Sequence, residues 1–206
     1  MKRIVPFLIP LAVVVLAVFL LGSSPQVSKQ GGARSGKSQR ALIERGKHLV
    51  TISACNDCHS PKIFTKEGPI PDTARLLSGH PASEPLPEVP TAIFGPDKWG
   101  AVTNNHFTAW AGPWGVSFTR NLTPDTATGL GSWTEEMFIK AIRTGKHMGE
   151  GRDVLPPMPW PEYRHYTNDD FHAVWAYLRS LKPIENAVPD PISPTGEKVP
   201  TPNVQK

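Results

Sequence analysis

Apolar residues run without interruption at one place in this chain and recur at helical period at three others. The uninterrupted run is residues 4–21, IVPFLIPLAVVVLAVFLL, which carry no charge. At 1.5 Å per residue such a run matches the ~30 Å of a bilayer core, so it predicts a single N-terminal transmembrane helix. A cleaved secretory signal also places Lys or Arg before an apolar run, but it ends in a small-x-small site. Here Ser23, Ser24 and Pro25 would put a proline next to the scissile bond. Residues 1–21 therefore read as a retained anchor, with a cleaved signal as the alternative.

The first periodic stretch, about residues 39–54, sets Leu42, Gly46, Leu49 and Val50 on one face. The second, about 133–144, stops at Gly145, and Ser132 and Glu135 before it have capping-box spacing. The third begins at Thr167 with Asp170 three positions on, repeats Phe171, Val174, Trp175 and Leu178 at i, i+3, i+4 and i+7, and ends before Pro183. Gly46 has no side chain and would let Trp175 or Tyr177 of the last helix pack closely on the first. Between the helices, residues 61–119 hold nine prolines and Trp99, Trp110 and Trp114 with no sustained period. That predicts one long loop, either covering a cofactor edge or forming a docking face.

Composition changes this picture in one respect. The pI of about 9.1 suggests a basic protein, yet six of the 22 Lys+Arg (Lys2, Arg3, Lys29, Arg34, Lys37 and Arg40) precede the first acidic residue, Glu44. The remaining 16 face 18 Asp+Glu, so the part from residue 41 onward is mildly acidic, which excludes a nucleic-acid-binding face. Residues 22–38, rich in Gly, Ser and Lys, read as a flexible linker. A single domain then occupies 39–186, and 187–206 read as a Pro-rich C-terminal tail.

The chain has two cysteines, and they form Cys55-Asn56-Asp57-Cys58-His59. This C-x-x-C-H pattern is the attachment signature of a c-type haem. Two thiols one helical turn apart can bond the two vinyl groups on one porphyrin edge, and the adjacent His59 sets an imidazole under the iron. A thioredoxin-like pair would open a helix after a strand, whereas the run before Cys55 reads as helix. A structural zinc site needs four ligands and there is no second Cys pair. A disulfide here would close too small a loop to stabilise much. Haem attachment also sets the orientation: the positive-inside count, two residues before the apolar run and four after it, points the other way, but c-type haem is attached on the outer side of the membrane. The expectation is a single-pass protein of the bacterial cytoplasmic membrane with its haem domain in the periplasm.

The second axial ligand has to come from Met137, Met148, Met158, His147, His165 or His172. Met137 falls among the apolar positions of the second helix and reads as core, and His172 lies among polar neighbours on the last. Met158 sits in Leu155-Pro156-Pro157-Met158-Pro159-Trp160-Pro161, whose prolines forbid helix and fix the backbone. A rigid loop suits a weak thioether ligand, because little backbone entropy is lost on binding. The competing reading is a Pro-rich loop that buries a Met against Trp160.

The stretches Glu44-Arg45-Gly46-Lys47-His48-Leu49-Val50, Asn121-Leu122-Thr123-Pro124-Asp125, Thr128-Gly129-Leu130-Gly131-Ser132-Trp133-Thr134, Arg143-Thr144-Gly145, the Pro-Pro-Met-Pro-Trp run and the last helix resemble bacterial monohaem c-type cytochromes related to the cytochrome c subunits of membrane-bound dehydrogenases. The resemblance implies an all-α, cytochrome c-like fold around one covalent haem c. It implies Met158 as the distal ligand, Asn121 and Trp133 at the haem border, and Arg120 near a propionate. It also implies electron transfer as the function, with dehydrogenases or a terminal oxidase as redox partners. The alternative class is a haem enzyme or gas sensor with an open distal position, in which His147 or His165 would act as acid or base.

Overall fold

In a computed structural model, the structure describes residues 30–200, with side chains from residue 38 onward. The apolar run 4–21 lies outside the described residues. Among the described residues no helix is long and apolar enough to cross a membrane. Helix α1 spans Gln30–Ile52, so it begins within the stretch read as linker. Helix α2 is the five-residue turn Cys55–His59, entered through Ala54 in the left-handed conformation (φ 55°).

The other two predicted helices are α3 (Glu135–Thr144) and α5 (Asn168–Ser180), with the short α4 (Trp160–Tyr163) between them. The cap of α3 is Thr134 rather than Ser132: its hydroxyl accepts from the Met137 amide at 3.2 Å. Gly145 closes the helix in the left-handed region (φ 66°), the conformation a C-terminal glycine adopts most easily. Helix α5 carries the predicted capping box, Thr167 and Asp170 each bonding the other's main-chain amide. Helices α1 and α5 cross at Gly46. A Cβ built there would sit 1.9 Å from the Ala173 carbonyl oxygen and 2.8 Å from the Tyr177 Cβ, so no larger residue permits this approach. Around the crossing, Val50, Leu77, Leu130, Phe138, Phe171, Val174, Tyr177 and Leu178 form the main core.

The expectation of an all-α domain is overturned. The stretch read as one long loop folds into two small antiparallel sheets. Strands β1 (Lys62–Thr65) and β2 (Gly68–Pro71) make a hairpin, and β3 (Val102–Thr103), β4 (Ala109–Gly112) and β5 (Gly115–Phe118) make a three-stranded sheet in that order. No strand exceeds four residues, too short for a two-residue alternation to emerge from the sequence. Of the nine prolines only Pro69 and Pro71 fall within a strand, both in β2 of the two-stranded hairpin, an edge position where a missing N–H is tolerated.

A second apolar cluster, Ala109, Ala111, Val116, Phe118 and Val188, packs under this sheet. Val188 and Ile192 come from the stretch read as a tail. Ile192 bridges to Val116 through reciprocal main-chain bonds of 2.8 and 2.9 Å, so the domain continues past residue 186.

Candidate functional site

Helix α2 faces a cavity of about 520 Å³ whose wall includes Cys55, Cys58 and His59, and also Met158, Arg120, Asn121 and Trp133. These seven residues thus line one space, although they come from α2, the segment after β5, the approach to α3 and the Pro-rich loop. The cavity wall takes Val50, Leu130, Phe138 and Phe171 from the main core and Phe118 and Val188 from the sheet cluster. It lies where the two apolar clusters meet.

His59 is buried, and its Nδ1 lies 2.8 Å from the main-chain carbonyl of Arg120. Donating Nδ1–H to that carbonyl would fix the ring and leave Nε2 available to a metal, the arrangement that raises ligand basicity in metal-bound histidines. Burial pushes the His59 pKa down, which keeps the ring neutral and able to ligate. Cys55 and Cys58 are not joined by a disulfide. Burial raises the Cys55 pKa to about 11 and moves Cys58 in the same direction. A thioredoxin-like site needs the opposite, a thiolate stabilised near neutral pH, so the electrostatics here disfavour that chemistry.

The loop with Met158 is held by the sheet: the Ser117 hydroxyl donates to the Pro156 carbonyl at 2.5 Å. From the next element, the Tyr163 hydroxyl donates to the Ser53 carbonyl at 2.5 Å, and Tyr166 bonds the Ser53 side chain. Both tyrosines line the cavity and tie α4 and the segment after it to the turn that precedes the cysteines. Met148 lines the same space as Met158, whereas Met137 is half-buried on α3 and His172 is exposed, bonded to Glu135 at 2.7 Å. His165 is exposed and outside the cavity wall.

Asn121 is buried and fully used in holding loops together. Its amide donates to the Ile184 carbonyl (2.8 Å) and the Thr128 hydroxyl (3.1 Å), and its oxygen accepts from the Thr123 amide (3.0 Å) and hydroxyl (2.7 Å). Trp133 packs against the main core and meets His147 edge-on, with ring centroids 5.2 Å apart. Arg120 donates to the carbonyls of Val188 (3.2 Å) and Pro189 (3.0 Å), and burial lowers its pKa to about 10.

Apart from the two histidines, the ionisable side chains on the cavity wall with charge at neutral pH are Arg120, Arg152 and Asp190, a net positive set in a largely apolar space. Beside them, the buried Nδ1 of His147 has no hydrogen-bond partner, and burial together with the two arginines lowers its pKa to about 4. This donor set fits a haem: two thiols and an imidazole on one turn, a thioether on a rigid loop, and cationic side chains that would offset buried carboxylates. Arg152, Tyr163 and Tyr166 carried no sequence signal, since each is set by tertiary contact and none falls within a motif.

Comparison with known proteins gives the same direction. No protein-family model matches the chain. A fructose dehydrogenase cytochrome subunit from Gluconobacter japonicus is 33% identical over 182 residues, covering 87% of this chain and 30% of that protein. An alcohol dehydrogenase (quinone) cytochrome c subunit from Gluconacetobacter polyoxogenes is 35% identical over 159 residues, 77% of this chain and 25% of its own length. A gluconate 2-dehydrogenase cytochrome c subunit from Pantoea cypripedii is 28% identical over 151 residues, 73% and 26%. The chain therefore spans under a third of each of these relatives. The chain is related to the cytochrome c subunits of bacterial dehydrogenases.

Proposed function

We propose that the chain carries electrons through one c-type haem bound covalently at Cys55 and Cys58, with His59 and Met158 as axial ligands. The observation that carries this reading is the convergence of both cysteines, His59 and Met158 on one cavity from distant parts of the chain. A haem held there supplies one-electron chemistry, and thioether ligation raises its reduction potential. The residues do the rest. Arg120 steers His59 through its main-chain carbonyl, the prolines around Met158 hold the thioether in place, and Asn121 ties together the loops of the adjoining wall. The names of the relatives support a dehydrogenase as electron donor, and the acceptor in this reading is the respiratory chain. The apolar run 4–21 and the outer-face chemistry of haem attachment support a site of action at the periplasmic face of the bacterial cytoplasmic membrane.

The test is Met158→Ala in haem-loaded protein, with Met148→Ala beside it because that methionine lines the same space. M158A is expected to lose the low-spin spectrum of the reduced form, to lower the midpoint potential and to bind carbon monoxide, while M148A keeps the native spectrum. An unchanged spectrum and potential in M158A would remove Met158 as ligand. Ready carbon monoxide binding by the native reduced protein would favour an open-site sensor or enzyme instead.

A further inference from the structure

Lys62 is buried to 5% exposure three positions past His59, outside the attachment motif. Its ammonium donates to the carbonyls of Asn56 (3.2 Å), Asp57 (2.8 Å) and Ser60 (2.5 Å). An ammonium has three N–H donors, so all of them are engaged, and every partner is a main-chain carbonyl at the end of α2. A five-residue helix cannot supply N–H donors for its own last carbonyls. Gly79 N–H takes the His59 carbonyl at 2.7 Å, and Lys62 takes two others within the helix and one just beyond it. Its backbone is fixed as well: Lys62 opens β1 opposite Pro71, and its amide donates to His106 Nδ1 at 2.9 Å. The ammonium also lies 5.9 Å from the centre of the Phe107 ring. The segment that the sequence left as either a cofactor cover or a docking face thus bonds to the helix that carries the thiols and the proposed iron ligand.

We propose that Lys62 is a positioning residue for the haem: its ammonium clamps the C-terminal end of α2, fixing the His59 ring, and its buried charge favours the reduced haem. This rests on the electron-carrier reading for its redox consequence but not for the clamp. The physical grounds are two. A cation at a helix C-terminus complements the carbonyl dipoles, and here it meets them in place of water. A positive charge in a poorly screened interior acts at longer range than a surface one, and the ferric state carries one more positive charge than the ferrous.

The experiment compares haem-loaded wild type with Lys62→Met, Lys62→Gln and Lys62→Arg, reading midpoint potential and the rate at which imidazole displaces the distal ligand. The two neutral variants are expected to shift to lower potential and to exchange ligand on the order of tenfold faster, as loss of a charged hydrogen bond of ~1.4 kcal/mol would allow. K62R should stay near wild type. Equal potentials and exchange rates in all four proteins would overturn the assignment. Where a neutral variant does not accumulate, rescue of holoprotein by K62R supports it and failure of that rescue overturns it. The clamp is read independently of haem by acetylating the native wild-type chain and locating the modified lysines by mass spectrometry. Lys47 and Lys66, both exposed, should react while Lys62 is spared until the chain is unfolded. Ready acetylation of Lys62 would sink the clamp, whereas absence of covalent haem from wild type would sink the electron-carrier reading and leave the clamp to this second measurement.

Discussion

Asp170 shows how much one side chain does in this domain. One carboxylate oxygen accepts from the Thr167 hydroxyl at 2.6 Å and from the Thr167 amide at 3.1 Å, and the other meets Arg45 of α1 at 2.5 Å. The Thr167 hydroxyl, and after it Arg45, hold the carboxyl below its usual pKa. A depressed folded-state value means that the stabilisation is complete above the unfolded value of about 4 and is lost as pH falls through the folded one. Asp170→Asn is therefore expected to lower stability by about 1 kcal/mol at pH 7. The gap to wild type should close as denaturant melts are repeated down to pH 3, and a gap constant with pH would mean that charge has no part in this cap. The capping role of Thr167 and Asp170 was legible from the sequence because it depends on residues three apart. The pairing with Arg45 was not, because only the α1/α5 crossing brings the two together. The same division runs through the site. The candidates Cys55, Cys58 and His59 stand out by spacing and Met158 by its prolines, and all four line the cavity. Lys62, Arg152 and Tyr163 act through partners distant in sequence or main-chain carbonyls, which no pattern of side-chain types records.

The helices were readable because each has enough turns for a 3.6-residue period to repeat, as Phe171, Val174, Trp175 and Leu178 do on α5. The sheets were not. Strands of two to four residues are defined by pairing, such as Trp110 with Ser117 and Ala111 with Val116, and pairing is a property of two segments. The crossing of α1 and α5 gives the sharpest test at this scale. Replacing Gly46 by Ala improves intrinsic helix propensity by roughly 1 kcal/mol, so an isolated α1 would gain. In the domain the added methyl would overlap the Ala173 carbonyl, and the helices would have to separate. Overpacking of this kind costs about 1–3 kcal/mol before any lost contact around Val50, Val174 and Tyr177 is counted. Gly46→Ala is expected to be destabilising by about 2 kcal/mol in chemical denaturation, against its propensity. An increase in the denaturation midpoint would show that the helices have room to part.

At the scale of the whole domain, the described residues form two apolar clusters with a cavity at their meeting line, a layout that would tie the proposed haem to the fold. The helical cluster contributes Val50, Leu130, Phe138 and Phe171 to the wall, and the sheet cluster contributes Phe118 and Val188. Few other apolar contacts are needed between them if a flat apolar ring is gripped from both sides. At ~24 cal/mol per Å³, leaving 520 Å³ unfilled would cost on the order of 12 kcal/mol as an upper bound, comparable to the ~5–15 kcal/mol that holds an entire domain together. Water entering the cavity would reduce that figure but would solvate the apolar walls instead. The double substitution Cys55→Ala/Cys58→Ala, which removes both proposed attachment points, should thus affect more than redox activity. The haem-free chain is expected to keep most of its far-UV helical signal, since α3 and α5 have their own caps, while near-UV signals from the tryptophans weaken and thermal unfolding broadens, the signature of lost packing with retained helix. A haem-free chain that melts in one sharp transition at the temperature of the loaded protein would mean that the two clusters hold each other directly, and that the cofactor is a passenger in a fold complete without it.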